Sequence, residues 1–216
     1  MFFIGRLPEI SPDTLLSFQN TTFRFSPSSD EELCDVSCNR AGKILMGMRN
    51  AYKLMLGFDY LTLLHRFQHL CGRDLTPLVN MSRLELHMYP ANSQFEVITF
   101  LLGICPNLQS LEIILREHKP PENVLDQEED MQSQVLSTEG ILKHLKTFEF
   151  RDFGGTGSEL KLVKYVLENA TIMEKVDIVF SLEMEKDLKT QVSIREMIVA
   201  YPKISSNAII SFSSDQ

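Results

Sequence analysis

The sequence predicts an α/β fold, a row of parallel strands alternating with helices, and three observations carry that reading. A strand-like phrase returns five times: an apolar or small residue, two spacers, an apolar residue, one spacer, another apolar residue. It reads Ala51-x-x-Leu54-x-Leu56, Met81-x-x-Leu84-x-Leu86, Leu108-x-x-Leu111-x-Ile113, Leu145-x-x-Phe148-x-Phe150 and Met173-x-x-Val176-x-Ile178. Between phrases the apolar spacing changes from two to that of a helix, as expected for parallel strands joined by helical crossovers. Three stretches that follow strand phrases open with capping boxes, Ser93 to Glu96, Thr156 to Glu159 and Ser193 to Glu196, in which hydroxyl and carboxylate satisfy each other's helix-end amides.

The phrases start 30, 27, 37 and 28 residues apart, a loose period like that of leucine-rich repeats, where each unit is one strand plus one helix. Such units bury their apolar faces only against neighbours, so the expected architecture is a leucine-rich-repeat-like solenoid presenting a broad strand face to another protein.

The elements follow in order. Residues 1–50 read as an irregular repeat-like segment, with a weak copy of the phrase at Asn20-x-x-Phe23-x-Phe25, a loop over Ser26 to Asp30 and a helix over Arg40 to Arg49. Residues 51–140 form the repeat-like region. Its capped helix buries Phe95, Ile98, Leu101, Leu102 and Cys105 and stops at Pro106, which cannot continue a helix. An insertion over 117–138, with Pro120-Pro121 and the acidic residues Asp126, Glu128, Glu129 and Asp130, reads as a solvated loop. Residues 141–216 hold two further helices, one facing inward through Leu160, Val163, Leu167 and Ala170, the other through Ile194, Ile198 and Tyr201 before Pro202. A last weak phrase, Asn207-x-x-Ile210-x-Phe212, closes the sheet.

Size and charge narrow the function. At 216 residues the chain suffices for one sizeable domain or one continuous solenoid, burying roughly 70–75% of its extended surface. Hydrophobic and charged contents of 44% and 23% are those of a globular chain. A formal net charge of −8 argues against nucleic acid and anionic membranes as partners, because both select basic surfaces. The longest largely apolar run, Val97 to Cys105, is under half the ~20 residues of a bilayer span. The opening Met-Phe-Phe-Ile-Gly-Arg lacks the pattern of a signal peptide. The expectation is an intracellular protein, cytoplasmic or nuclear, with Cys34, Cys38, Cys71 and Cys105 as free thiols.

Catalysis finds no support in the sequence, which has no G-x-S-x-G, no H-E-x-x-H and no nucleophile set at informative spacing. Cys34-x-x-x-Cys38 and His65-x-x-x-His69, with Cys71 close by, supply zinc-type ligands. A whole strand phrase separates the pairs, however, so neither a metal nor any cofactor is expected. Gly154-Gly155-Thr156-Gly157 sits between a strand and a helix, where a phosphate could rest on the helix N-terminus. The phosphate-loop patterns are absent, and a tight turn explains the glycines.

One pattern stands out. The polar residue inside four successive phrases is acidic: Glu85, Glu112, Glu149 and Asp177. Alternation places it opposite the buried pair, on the exposed sheet face, with neighbours about 4.8 Å apart if the registers match. Like charges so placed repel. Arg83, Arg151 and Lys175, two residues away on the same face, either neutralise the row internally or share it with a partner bearing a basic segment.

Leu145 to Gly155, Glu159 to Ala170, Met173 to Ile178 and Tyr201 to Ser206 resemble the FBD domain of plant F-box/leucine-rich-repeat proteins. Met81 to Leu86 and Cys105 to Ile113 resemble that family's repeats, so the resemblance covers roughly Ala51 to the C-terminus. Thr138 to Leu142 stands where FBD domains commonly carry a Pro and a Cys-Leu pair. Leu7-Pro8-Glu9-Ile10 is similar to the start of an F-box, but Ser26 to Asp30 interrupts where its helices should continue.

In the family the F-box docks on a Skp1-like adaptor of a cullin ubiquitin ligase and the repeats present a substrate. The resemblance therefore implies a non-catalytic interaction module that recognises ligase substrates, with the adaptor as partner only if an F-box is supplied. Two alternatives stand beside it: a scaffold unrelated to ubiquitin, and a small-ligand or phosphate-binding protein using the Gly154 to Gly157 turn.

Overall fold

The computed structural model describes residues 2–4, 22–26, 35–70, 75–89, 92–116 and 142–214. Their strands are β1 (Phe2–Ile4), β2 (Thr22–Ser26), β3 (Lys53–Leu56), β4 (Arg83–Met88), β5 (Ser110–Leu115), β6 (Thr147–Phe153), β7 (Lys175–Phe180) and β8 (Ile209–Ser214). The helices are α1 (Asp35–Gly47), α2 (Phe58–Leu70), α3 (Asn92–Ile104), α4 (Gly157–Asn169), the short α5 (Leu182–Glu185) and α6 (Leu188–Ala200). None of them is long and apolar enough to cross a membrane.

The eight strands form one sheet in sequence order, β1 to β8, and every neighbouring pair is parallel. The fold is α/β and repeat-like, as the phrases predict. Their inner positions coincide: Leu54, Leu84, Leu111, Phe148 and Val176 lie in register, followed two residues on by Leu56, Leu86, Ile113, Phe150 and Ile178. All ten are buried, and α1 to α4 and α6 cover them as a chain of neighbouring helices.

The leading residue of four of the five phrases has a backbone reason. Ala51, Met81, Leu108 and Leu145 each donate an amide hydrogen three residues back, closing a tight turn before the strand. Beyond each turn, pairs of amides from one unit converge on a single carbonyl of the unit before: Ser82 and Arg83 on Tyr52, Gln109 and Ser110 on Ser82, Lys146 and Thr147 on Gln109, Glu174 and Lys175 on Lys146. Side chains add a second stitch. The Asn80 and Asn107 amides donate to the Arg49 and Val79 carbonyls at 3.1 and 2.8 Å.

The Phe23 phrase is β2, in keeping with its reading as a weak copy, and the N-terminal 50 residues contribute β1, β2 and α1 to the sheet and its helix layer; Phe2–Ile4 is too short to show periodicity. Several helix boundaries need correction. The Arg40 helix begins earlier, at Asp35, and ends at Gly47. The last helix is not capped by Ser193. It starts at Leu188, where Asp187 accepts from the Thr190 amide at 3.0 Å, because an aspartate cap six residues upstream lets the helix begin sooner. Ser93 falls at the start of α3, where its side chain lies outside the described residues, and the Glu96 carboxylate meets His65 of α2 at 3.0 Å. The insertion over 117–138, most of the loop after Ser26, and Cys34 and Cys71 lie outside the described residues.

Asp59, in the first turn of α2, is partly buried, and burial pushes its carboxyl up to about 6. The unfolded chain holds that proton only below about pH 4. Between these values the folded state binds more protons, so this group's contribution to stability falls as pH rises across the window. Asp59→Asn is expected to stabilise the chain at pH 7 by about 1 kcal/mol, allowing for solvent screening. Urea titrations of both chains should show that gap closing as pH drops from 6 to about 4.

Candidate functional site

The sheet face away from the helices carries the charges. Glu85, Glu112, Glu149 and Asp177 are aligned residue for residue across β4, β5, β6 and β7, as their place in the phrase predicts. On the β3 side Met55 continues the row and on the β8 side Ser211 does. Adjacent carboxylates one strand apart need cations close by.

Those cations are unevenly supplied. Glu85 receives one cation and one further donor: Lys53 Nζ at 2.9 Å on one oxygen and His87 Nε2 at 2.8 Å on the other. Arg116 donates to His87 Nδ1 at 3.1 Å, so Nδ1 accepts and Nε2 carries the hydrogen given to Glu85. Burial pushes the Glu85 carboxyl up, but these hydrogen bonds and charges outweigh it and hold it below the usual carboxylate range. Glu85 was expected on the exposed face. It is instead buried, enclosed by the side chains that neutralise it. Its cation is Lys53 rather than Arg83, whose guanidinium lies 5.8 Å from the Tyr52 ring centre.

At the other end, Asp177 takes Lys175 Nζ at 2.6 Å and the Ser211 hydroxyl, and the carboxylate raises the Lys175 pKa. The middle is different. Glu112 and Glu149 share Arg151, whose nitrogens stand 4.0 and 3.9 Å away, beyond hydrogen-bond length. Partial burial, then the charges of Glu85 and Glu149, push the Glu112 carboxyl up against the opposing pull of Arg151 and Lys53. Glu149 is the most open of the four, its side chain 40% exposed, against 29% for Glu112 and 10% for Glu85.

Sequence reasoning missed Lys53, His87 and Arg116. Two of them carried a signal. Lys53 holds the offset of Arg83 and Lys175 within its phrase, and Glu85-x-His87 repeats Glu149-x-Arg151. The pairing of His87 with Arg116 depends on strand length, which the phrase does not encode.

The Gly154 turn is built as its motif predicts but holds an anion of its own. Thr156 caps α4, and the buried Glu159 carboxylate accepts from the Gly154 and Gly155 amides at 2.8 Å each and from the Thr156 hydroxyl at 2.8 Å. A phosphate there would meet that carboxylate rather than free amides, so the residues do not fit the phosphate reading. Of the cysteines, Cys38 and Cys105 are buried free thiols, and burial pushes Cys105 up to about 12, which suppresses its nucleophilic form.

Comparison with known proteins places this architecture. The family model described as FBD matches residues 137–178. An F-box/FBD/LRR-repeat protein of Arabidopsis thaliana is 31% identical over 135 residues, 62% of this chain and 29% of the relative. A putative F-box/FBD/LRR-repeat protein of the same plant is 26% identical over 179 residues, 78% of this chain and 36% of the relative. A putative F-box protein is 26% identical over 153 residues, 71% and 36% of the two chains. The chain thus spans about a third of the length of these relatives. No solved structure matches it. With the strands and helix of the matched segment in place, the chain carries an FBD-like segment and is similar, over this part of their length, to plant F-box/FBD/leucine-rich-repeat proteins.

Proposed function

We propose that the chain is a non-catalytic protein-binding module, the substrate-recognition part of an F-box-type subunit of a cullin ubiquitin ligase. In this reading its units stack as a solenoid, with 51–140 as repeats and 141–216 as the FBD unit. The observation that carries the proposal is the middle of the open face, where Glu112 and Glu149 share Arg151 at about 4 Å in a face the described helices leave open. A Lys- or Arg-bearing segment would supply the missing hydrogen bonds, and charge-assisted contacts are the stronger ones. Arg83, Arg151, Lys175 and the ends of the row, Glu85 and Asp177, would set its register.

Proximity labelling in plant cells identifies the partner without assuming a ligase. Charge reversal of both Glu112 and Glu149 to Lys is expected to weaken that partner's binding roughly tenfold or more and to flatten its salt dependence, with the circular-dichroism melt unchanged. Undiminished affinity in the double variant would end the recognition proposal. Co-purification of a Skp1-like adaptor with the intact protein supports ligase membership. Its absence, with other partners retained, favours a scaffold outside the ubiquitin system.

A further inference from the structure

We propose that His65, His69 and Glu96 form a binding site for a divalent transition-metal ion of the zinc type, tying α2 to α3 on the helical side of the molecule. His65 and His69 stand one turn apart on α2, so their rings share a face; the centroids are 5.0 Å apart and the planes nearly perpendicular. Glu96 reaches across from α3, its Oε2 3.0 Å from His65 Nε2. One donor atom from each of the three lies within 4.8 Å of the other two.

That spacing is within a small rearrangement of a metal site. Four ligands at about 2.0–2.2 Å around a tetrahedral zinc ion stand roughly 3.3–3.5 Å apart, so the hydrogen-bonded His65 and Glu96 atoms, 3.0 Å apart, need part only by a few tenths of an ångström to take an ion between them. The His69 ring closes the remainder by a rotamer adjustment, which exposure permits: His69 and Glu96 are exposed and His65 half-buried. Two imidazoles and one carboxylate select borderline ions such as Zn²⁺. Mg²⁺ and Ca²⁺ require more oxygen ligands than this set offers. A fourth position remains open to water, as in three-ligand zinc sites.

The histidine pair was visible in the sequence, but its partner there was sought among the cysteines. Cys38 is buried in the core, whereas the third ligand comes from the neighbouring helix. An ion so held would cross-link two neighbouring helices and would stabilise the folded chain by mass action.

Titration calorimetry of the reduced full chain with ZnCl₂ tests the site, with MgCl₂ as the control ion and thermal unfolding as a second readout. Saturable one-to-one Zn²⁺ binding and a raised Tm are expected, with no response to Mg²⁺. His65→Ala and His69→Ala should each weaken Zn²⁺ binding by about tenfold to a hundredfold and abolish the Tm rise, and Glu96→Gln by about tenfold. His144→Ala, at an exposed histidine elsewhere, should change neither. Because the ligands lie at the surface, the metal-free variants should melt close to the parent, so a lost response reports the site rather than the fold. Absence of saturable binding, or affinity and Tm rise retained in His69→Ala, overturns the proposal and leaves His65 and Glu96 as a simple hydrogen-bonded pair.

Discussion

Glu159→Ala is expected to lower stability by about 3 kcal/mol, because one side chain satisfies several donors at once in a buried turn. The carboxylate accepts from the Gly154 and Gly155 amides and the Thr156 hydroxyl, while the Thr156 oxygen accepts from the Glu159 amide at 3.4 Å. Alanine leaves these donors to whatever water can enter, at about 1–3 kcal/mol for each one left unsatisfied. Gln retains one acceptor oxygen but sets an NH₂ group where a second is needed, so Glu159→Gln should cost roughly half as much. Burial pushes the Glu159 carboxyl up and the surrounding donors oppose that; shape and donors, more than net charge, set its value to the fold. Differential scanning calorimetry should show a Tm lowered by about 6–12 °C in the alanine variant. A change below about 1 kcal/mol would mean that the turn organises itself without the carboxylate.

Gly42→Ala is the second large effect, and it runs against helix propensity. Alanine in a helix interior gains about 1 kcal/mol over glycine. At Gly42, however, a Cβ would stand 2.1 Å from Cε2 and 2.2 Å from Cζ of Phe67, a ring only 6% exposed. Forcing that ring aside costs about 1–3 kcal/mol or more. The expected net loss is about 2 kcal/mol, read as a lower urea midpoint with unchanged slope. Phe67→Leu should cushion it, giving a favourable coupling in the double-mutant cycle. Gly103, also helical, has open space where its Cβ would go, and Gly103→Ala should stabilise by up to about 1 kcal/mol. If both substitutions moved stability the same way, the close approach of α1 and α2 would not be the cause.

The contrast between these glycines shows where sequence reading stops. Strand positions, their common direction and the alignment of Glu85, Glu112, Glu149 and Asp177 were legible because alternation in a strand is local and the phrase repeats it. Helix faces such as Phe95, Ile98 and Leu101 were legible for the same reason. What lay hidden depends on meetings between units. Gly42 looks like any helix glycine until Phe67 is placed over it. Glu85 looks like its three counterparts until Lys53 and His87 enclose it. Glu96 fits a capping box by spacing, and nothing in that spacing shows that its carboxylate meets His65 of the neighbouring helix. Helix starts slipped where an upstream aspartate competed for the cap, as at Asp187.

One property of the sheet reaches beyond any single site. Strands joined in the order they are synthesised make their main contacts with the units before and after them, so the chain can assemble progressively as it leaves the ribosome, each turn of growth adding a template for the next. Damage should stay correspondingly local: a lesion at Glu159 would speed hydrogen exchange in the amides from β6 to β8 while the β3 to β4 region keeps its protection.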